Sequence, residues 1–201
     1  RQPAQKKMSW LDLKMIRDKK IKLKIWLKKL ITAGVDEVGR GCLAGPVVSA
    51  AVIFKKGINL SLLKDSKKIS FRKREEIAEH IKNYSHYAIG TASVVEILNL
   101  NILQATLLSM KRAIQKLAVK PGLTLIDGNI APKGLEKYRT IVNGDEKIKI
   151  ISAASIIAKV YRDRLMIKLS QKFSNYAWER NFGYGTKAHL KGLKKFGVTA
   201  H

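Results

Sequence analysis

One cysteine, Cys42, stands in 201 residues. No intrachain disulfide is possible and a Cys-rich zinc site is excluded. A single small thiol reads as a buried filler in a reducing compartment, so a cytoplasmic location is expected. The four histidines, His80, His86, His189 and His201, show no HExxH or comparable spacing, which leaves no histidine metal centre to defend. No Ser-His-Asp arrangement stands out either. Long apolar runs are missing too. Nothing approaches the ~18 uninterrupted apolar residues of a membrane span, so no membrane attachment is expected. Acids are scarce: 15 Asp and Glu face 40 Lys and Arg, a formal net charge of +25.

That imbalance draws polyanions, and nucleic acid is the commonest partner of such a field. An anionic lipid surface is the rival, but it requires an apolar face or an anchor as well. With 46% hydrophobic residues the chain has enough apolar material for a core, which excludes wholesale disorder.

Residues 1–30 read as a basic arm, with eleven basic residues against Asp12 and Asp18. Lys22–Leu27, KLKIWL, alternates charged and apolar positions in the manner of a strand. The arm adds nonspecific phosphate contacts on one reading; on another it is a targeting presequence, although Lys-rich rather than Arg- and Ser-rich. Residues 31–201 read as one α/β domain. Strands are expected at Ile31–Asp36, Pro46–Phe54, His86–Ser93, Leu123–Ile126 and Lys137–Val142. Helices are expected after the cap Ser70, over Arg74–Ile81, then over Val94–Leu117, Ser152–Phe173 and Lys187–Phe196. A loop is expected over Asn181–Gly185. Strands followed by alternating strands and helices predict a mixed sheet.

Asp36 and Glu37 close an apolar strand, Asp127 ends LTLID, and Asp145 follows YRTIVNG. Each sits at or beside a glycine turn. Strand ends of an open α/β sheet are where sites assemble. Gathered carboxylates repel one another unless a cation neutralises them, and Mg²⁺ takes oxygen ligands and substrate phosphate together. Two readings therefore stand, a metal centre and a structural cluster. Gly39-Arg40-Gly41 is not a dinucleotide fingerprint, because Pro46 and a β-rich run follow where a helix is required. GYGTK at 183–187 lacks the P-loop spacing. Ser66 and Lys67, in DSKK, either hold a backbone phosphate or form a capped turn. Tyr184 between two glycines either stacks on a sugar or base or plugs its loop onto the core.

The blocks GVDEVGRGCLAGPVVSAAVI, LKDSKKIS, NILQATLLSM, LIDGN, ISAASIIAKVYRDRLM and GYGTKAHL occur in the order found in ribonuclease HII. From about Ala33 to His201 the chain resembles that family. The resemblance implies a ribonuclease H-like fold, a mixed five-stranded sheet flanked by helices. It implies hydrolysis of the RNA strand of RNA–DNA hybrids and nicking of duplex DNA 5′ of an embedded ribonucleotide, a step of DNA replication and repair. The family's metal-binding acids match Asp36, Glu37, Asp127 and Asp145, holding two Mg²⁺ or Mn²⁺ ions. Its 2′-hydroxyl-reading element matches Gly39, Arg40 and Gly41, its junction-sensing tyrosine Tyr184, and its phosphate-contacting block Ser66 and Lys67.

The chain departs from the pattern at Cys42, where a proline is usual, and at Lys64, where an asparagine is common. Asn143 stands for a lysine, and Asn181-Phe182 for a His-Lys pair. Relatives also continue past the position of His201 through a basic, aromatic segment. A ribonuclease HIII-like enzyme, less able to cut at a single ribonucleotide, is a rival that Gly39–Gly41 and Tyr184 disfavour. A basic binding module without catalysis accounts for the charge but not for acids at three strand ends. Nothing marks an oligomer interface, and a monomer is expected. If phosphate neutralisation drives binding, log K for duplex binding falls steeply and linearly with log salt; a flat titration removes the polyanion reading.

Overall fold

The computed structural model describes residues 30–63 and 70–201, and the fold is that of Thr32–His201. The KLKIWL stretch of the basic arm, Ser66 and Lys67 lie outside the described residues. Five strands, β1 Thr32–Val38, β2 Val47–Phe54, β3 Ser85–Ala92, β4 Leu123–Asp127 and β5 Tyr138–Ile141, form one sheet in the order β3-β2-β1-β4-β5. The β1–β2 and β2–β3 pairs are antiparallel; β1–β4 and β4–β5 are parallel. The helices are α1 Phe71–Asn83, α2 Val94–Gln115, α3 Gly144–Lys147, α4 Lys149–Ser170, α5 Trp178–Asn181 and α6 Lys187–Phe196. This is the mixed, helix-flanked sheet expected. Among the described residues no helix is long and apolar enough to cross a membrane.

Helices cover both faces of β2, which is why its apolar run is continuous rather than alternating. Val48, Ala50 and Val52 pack with Ile77 and Ile81 of α1 and with Ala153, Ile157 and Val160 of α4. Ala51, with Val35 and Ile126 from the neighbouring strands, packs against Met110, Ala113 and Ile114 of α2. Ser49 also faces α2, and its hydroxyl is hydrogen-bonded to that of Ser109 at 2.5 Å.

The stretch expected as one helix over Val94–Leu117 is interrupted. Ser93 and Glu96 form a capping box at its start, but Asn101 leaves the helical region at φ 68°. Asn101 Oδ1 then accepts the Gln104 N–H at 3.1 Å, so the same residue breaks one helix and caps the next. Apolar residues continue across the break and hide it from a periodicity argument. Arg112 donates to both Glu96 oxygens at 2.9 and 2.6 Å, holding that carboxyl down at about 2.

Two glycines let helices lie close on the sheet. A Cβ at Gly34 of β1 would run into the Ile150 carbonyl of α4, and one at Gly90 of β3 into the Ser109 carbonyl of α2. In each case the obstacle is helix backbone, which cannot swing aside. Gly34→Ala therefore lowers stability by about 1–3 kcal/mol in thermal or urea unfolding; an unchanged midpoint shows that α4 is not held at this distance by Gly34.

Candidate active site

Asp36 pairs in register with Ala50, beside the Val35–Ile126 pair. By strand alternation Asp36 shares a face with Gly34 and Val38, towards α4. There it is buried, hydrogen-bonded to Ser155 and to the Glu37 N–H, which donates to Oδ1 at 2.7 Å. Asp127, the last residue of β4, accepts N–H donations at Oδ1 from Gly144 at 2.6 Å and Asp145 at 3.4 Å. Glu37 accepts from Arg40 Nη1 at 3.2 Å. Its other oxygen, Oε2, is buried without a hydrogen-bond partner among the described residues.

Carboxylate oxygens of Asp36, Glu37 and Asp127 lie within 4.8 Å of one another. The fourth expected acid, Asp145, adjoins them through its backbone but is not part of that converged group. It arrives on the first turn of α3 rather than at a strand end, after Asn143 in the left-handed region at φ 55°. Asparagine tolerates that conformation better than most residues, which suits a position where the resemblance led to expect lysine.

Burial chiefly, and then the charges of Glu37 and Asp127, push the Asp36 carboxyl well above its usual range. Burial also raises Glu37, with Arg40 opposing. Acids held together at this expense, one with an orphaned buried oxygen, fit a hard divalent cation with oxygen ligands.

The Gly39–Gly41 element follows β1 directly. Gly39 has φ 107°, and the Cys42 N–H closes the turn on the Gly39 carbonyl at 3.3 Å, a bond that proline in its place could not donate. Cys42 also forms an antiparallel bridge with Tyr184, while Leu43 N–H donates to the Gly183 carbonyl at 2.8 Å. The two glycine loops, 140 residues apart in the chain, are thus joined by backbone. Tyr184 is 37% exposed, so it does not plug the core. Asn181, in the short helix α5 rather than in a loop, is buried; it donates to the Tyr176 carbonyl at 2.7 Å and accepts from Gly183 N–H at 2.9 Å.

Four residues escaped the sequence reading. Ser155 is the hydroxyl on Asp36. Lys159 of α4 and Arg74 of α1 both lie near the buried Asp163, at 2.8 and 4.0 Å. With Glu37, Val38, Ser155, Ile156 and Tyr184 they line a cavity of about 270 Å³ beside the acids. Arg162 is fully buried. Its signal was available: it falls on the buried stripe Ala154, Ala158, Arg162, Met166, a cation at an apolar position.

Against known proteins, the profile of the Ribonuclease HII family matches residues 33–201. Ribonuclease HII of Pelagibacter ubique (strain HTCC1062) is 57% identical over 173 residues, covering 85% of this chain and 92% of that one. Ribonuclease HII of Coxiella burnetii (strain Dugway 5J108-111) is 50% identical over 171 residues, 85% of each chain. The crystal structure of ribonuclease H2 from Pyrococcus horikoshii OT3 superposes with a TM-score of 0.68 at 29% identity, over 84% of this chain and 89% of that one. The chain belongs to the ribonuclease HII family. It is a ribonuclease H, a hydrolase of the RNA in RNA–DNA hybrids.

The raised carboxyls give this ribonuclease H a pH signature. A carboxyl whose folded value exceeds its unfolded one contributes stability below the ordinary range, about 4, and loses it as pH rises through the raised value. In chelator, Asp36→Asn therefore melts higher than the wild type at neutral pH, and the gap narrows on acidification. A variant that melts at or below the wild type at pH 7 contradicts this.

Proposed function

We propose that this ribonuclease H also nicks duplex DNA on the 5′ side of a single embedded ribonucleotide, leaving a 3′-hydroxyl and a 5′-phosphate. Asp36, Glu37, Asp127 and Asp145 hold two Mg²⁺ or Mn²⁺ ions in this reading. The observation that carries it is the backbone bridge from Cys42 to Tyr184. It joins a glycine loop suited to reading a 2′-hydroxyl to an exposed aromatic suited to stacking on the next sugar, beside the converged acids. A 2′-hydroxyl is what separates RNA from DNA, and a ring face accepts a sugar or base without regard to sequence.

The divalent ions supply charge neutralisation, an acidified water and a stabilised leaving oxygen when bound. The chain's own residues do the rest. Asp36 is fixed by Ser155 and the Glu37 N–H, and Asp127 by the Gly144 N–H, so the ligands are set before substrate arrives. Backbone groups of Gly39, Arg40 and Gly41 meet the ribose, and Tyr184 meets the deoxyribose after it. Lys159 and Arg74 place positive charge along the intervening cavity, where the sugar-phosphate chain passes. Ser66 and Lys67 contact phosphate in this reading. In the overall reaction water oxygen bonds to phosphorus, the P–O3′ bond breaks, and the 3′-oxygen takes a proton.

Duplex DNA with one internal ribonucleotide, incubated with Mg²⁺, Mn²⁺ or chelator, tests the proposal. Metal-dependent nicking 5′ of the ribonucleotide is expected. Cleavage of long hybrids alone marks a ribonuclease HIII-like specificity, and cutting that survives chelator rules out the metal reading. Asp127→Asn keeps an oxygen acceptor for the Gly144 and Asp145 N–H groups, so it should fold and bind duplex. Its turnover should drop by two orders of magnitude or more, roughly the scale of losing a main electrostatic contributor; retained activity removes Asp127 from the role.

A further inference from the structure

The guanidinium of Arg162 is buried with no exposed surface, and each of its nitrogens donates to a different backbone carbonyl. Nε donates to Pro46 at 2.9 Å and Nη2 to Ala44 at 2.8 Å, both in the segment that follows Gly39–Gly41. Nη1 donates to Phe182 at 2.7 Å, next to the loop that carries Tyr184. Glycines surround the group because nothing larger fits. A Cβ at Gly39 would come within 2.6 Å of Arg162 Nε, and one at Gly45 within 3.1 Å of Nη2. Both glycines have positive φ, 107° and 86°. Phe182, also at positive φ, 50°, turns its carbonyl to the same group.

A buried cation is weak evidence for stability, since well-packed apolar residues of similar volume often do as well. What an apolar residue cannot do is bind three carbonyls in one plane. Arginine's fixed fork does so, and the point donor of lysine does not. We propose that Arg162 is a positioning residue for substrate discrimination: from α4 it sets the distance between the 2′-hydroxyl-reading loop and Tyr184. This rests on the reading of those two loops given above.

The two substrates ask different things of that distance. A lone ribonucleotide in DNA must satisfy the Gly39–Gly41 loop and present its following deoxyribose to Tyr184 in the same binding event. A long hybrid offers a 2′-hydroxyl at every step and many registers, so it depends less on the spacing between loops. Loosening the clamp therefore penalises the single-ribonucleotide substrate selectively, and misplacement on the ångström scale suffices for an effect on the order of 10–100-fold.

The test compares wild type, Arg162→Lys and Arg162→Gln on both substrates, with thermal melts of each protein. The expected result, in whichever variants fold, is a tenfold or greater loss of kcat/KM on the single-ribonucleotide duplex with a much smaller loss on the long hybrid. Tyr184→Ala added to R162K should then cause little further loss on the single-ribonucleotide duplex, because the tyrosine's placement is already gone. Proportional losses on both substrates, or additive effects of the two substitutions, overturn the assignment and leave Arg162 a structural residue. Loss of both variants to unfolding has the same meaning. If the wild type itself fails to cut at a single ribonucleotide, the functional reading fails instead.

Discussion

The distance at which α4 lies on β1 governs the rest of the molecule. Gly34 allows the approach, and the small residues Ala153, Ala154 and Ala158 on the helix surface are all buried by it. Once α4 is seated, its successive turns reach four points around the site. Ile151 abuts Gly144 at the start of α3, Ser155 meets Asp36, Lys159 faces the cavity beside Glu37, and Arg162 holds the two loops. One helix thus fixes acids from two strands and a loop bridge made from segments far apart in sequence. A register error of one residue in α4 would move all four contacts together, since they sit on one side of a rigid rod.

The same packing sets the electrostatics. A chain with net charge +25 has cations to spare for its acids: Glu96 has Arg112, and Asp163 has Lys159 and Arg74, although Asp163 Oδ2 has no hydrogen-bond partner among the described residues. At the converged group Arg40 reaches Glu37 from an exposed position, and Glu37 Oε2 keeps no hydrogen-bond partner among the described residues. Burial raises the Asp36 and Glu37 carboxyls, with Arg40 opposing at Glu37. Burial first, and mutual repulsion second, make these charges costly, and a divalent ion bound there would offset that cost, so folding stability and site affinity pull in opposite directions here.

What the chain disclosed in advance was whatever depends on near neighbours. Asp36, Glu37 and Asp127 could be placed because each closes an apolar run before a glycine, and a strand's end is a local property. Helix α6 was legible for the same reason, with Thr186 capping it through the His189 N–H. The break at Asn101 was not, because the apolar spacing runs through it and the cap that rescues it is a single side chain. Nor was the role of His189. Fully buried, it takes the Trp178 indole N–H at Nε2, 3.0 Å away, which leaves the ring's own proton on Nδ1 to donate to the Tyr184 carbonyl at 3.0 Å. Only the tertiary fold brings those partners together, and no spacing rule anticipates them.

Tyr184 is accordingly held from three directions: backbone pairing with Cys42, the His189 ring behind its carbonyl, and Arg162 through the neighbouring Phe182 carbonyl. Its ring alone is left partly open, with Lys159 5.3 Å from the ring centre. An aromatic that served only to fill space would be fixed by its ring and free in its backbone. Here the backbone is held on three sides while the residue is 37% exposed, which suits the stacking role proposed above. The position of Cys42 fits this arrangement, since its N–H closes the Gly39 turn and thereby stiffens the far side of the bridge. In the proposed reading the converged acids carry the chemistry and the two glycine loops the selection, and α4 reaches the first through Ser155 and the second through Arg162.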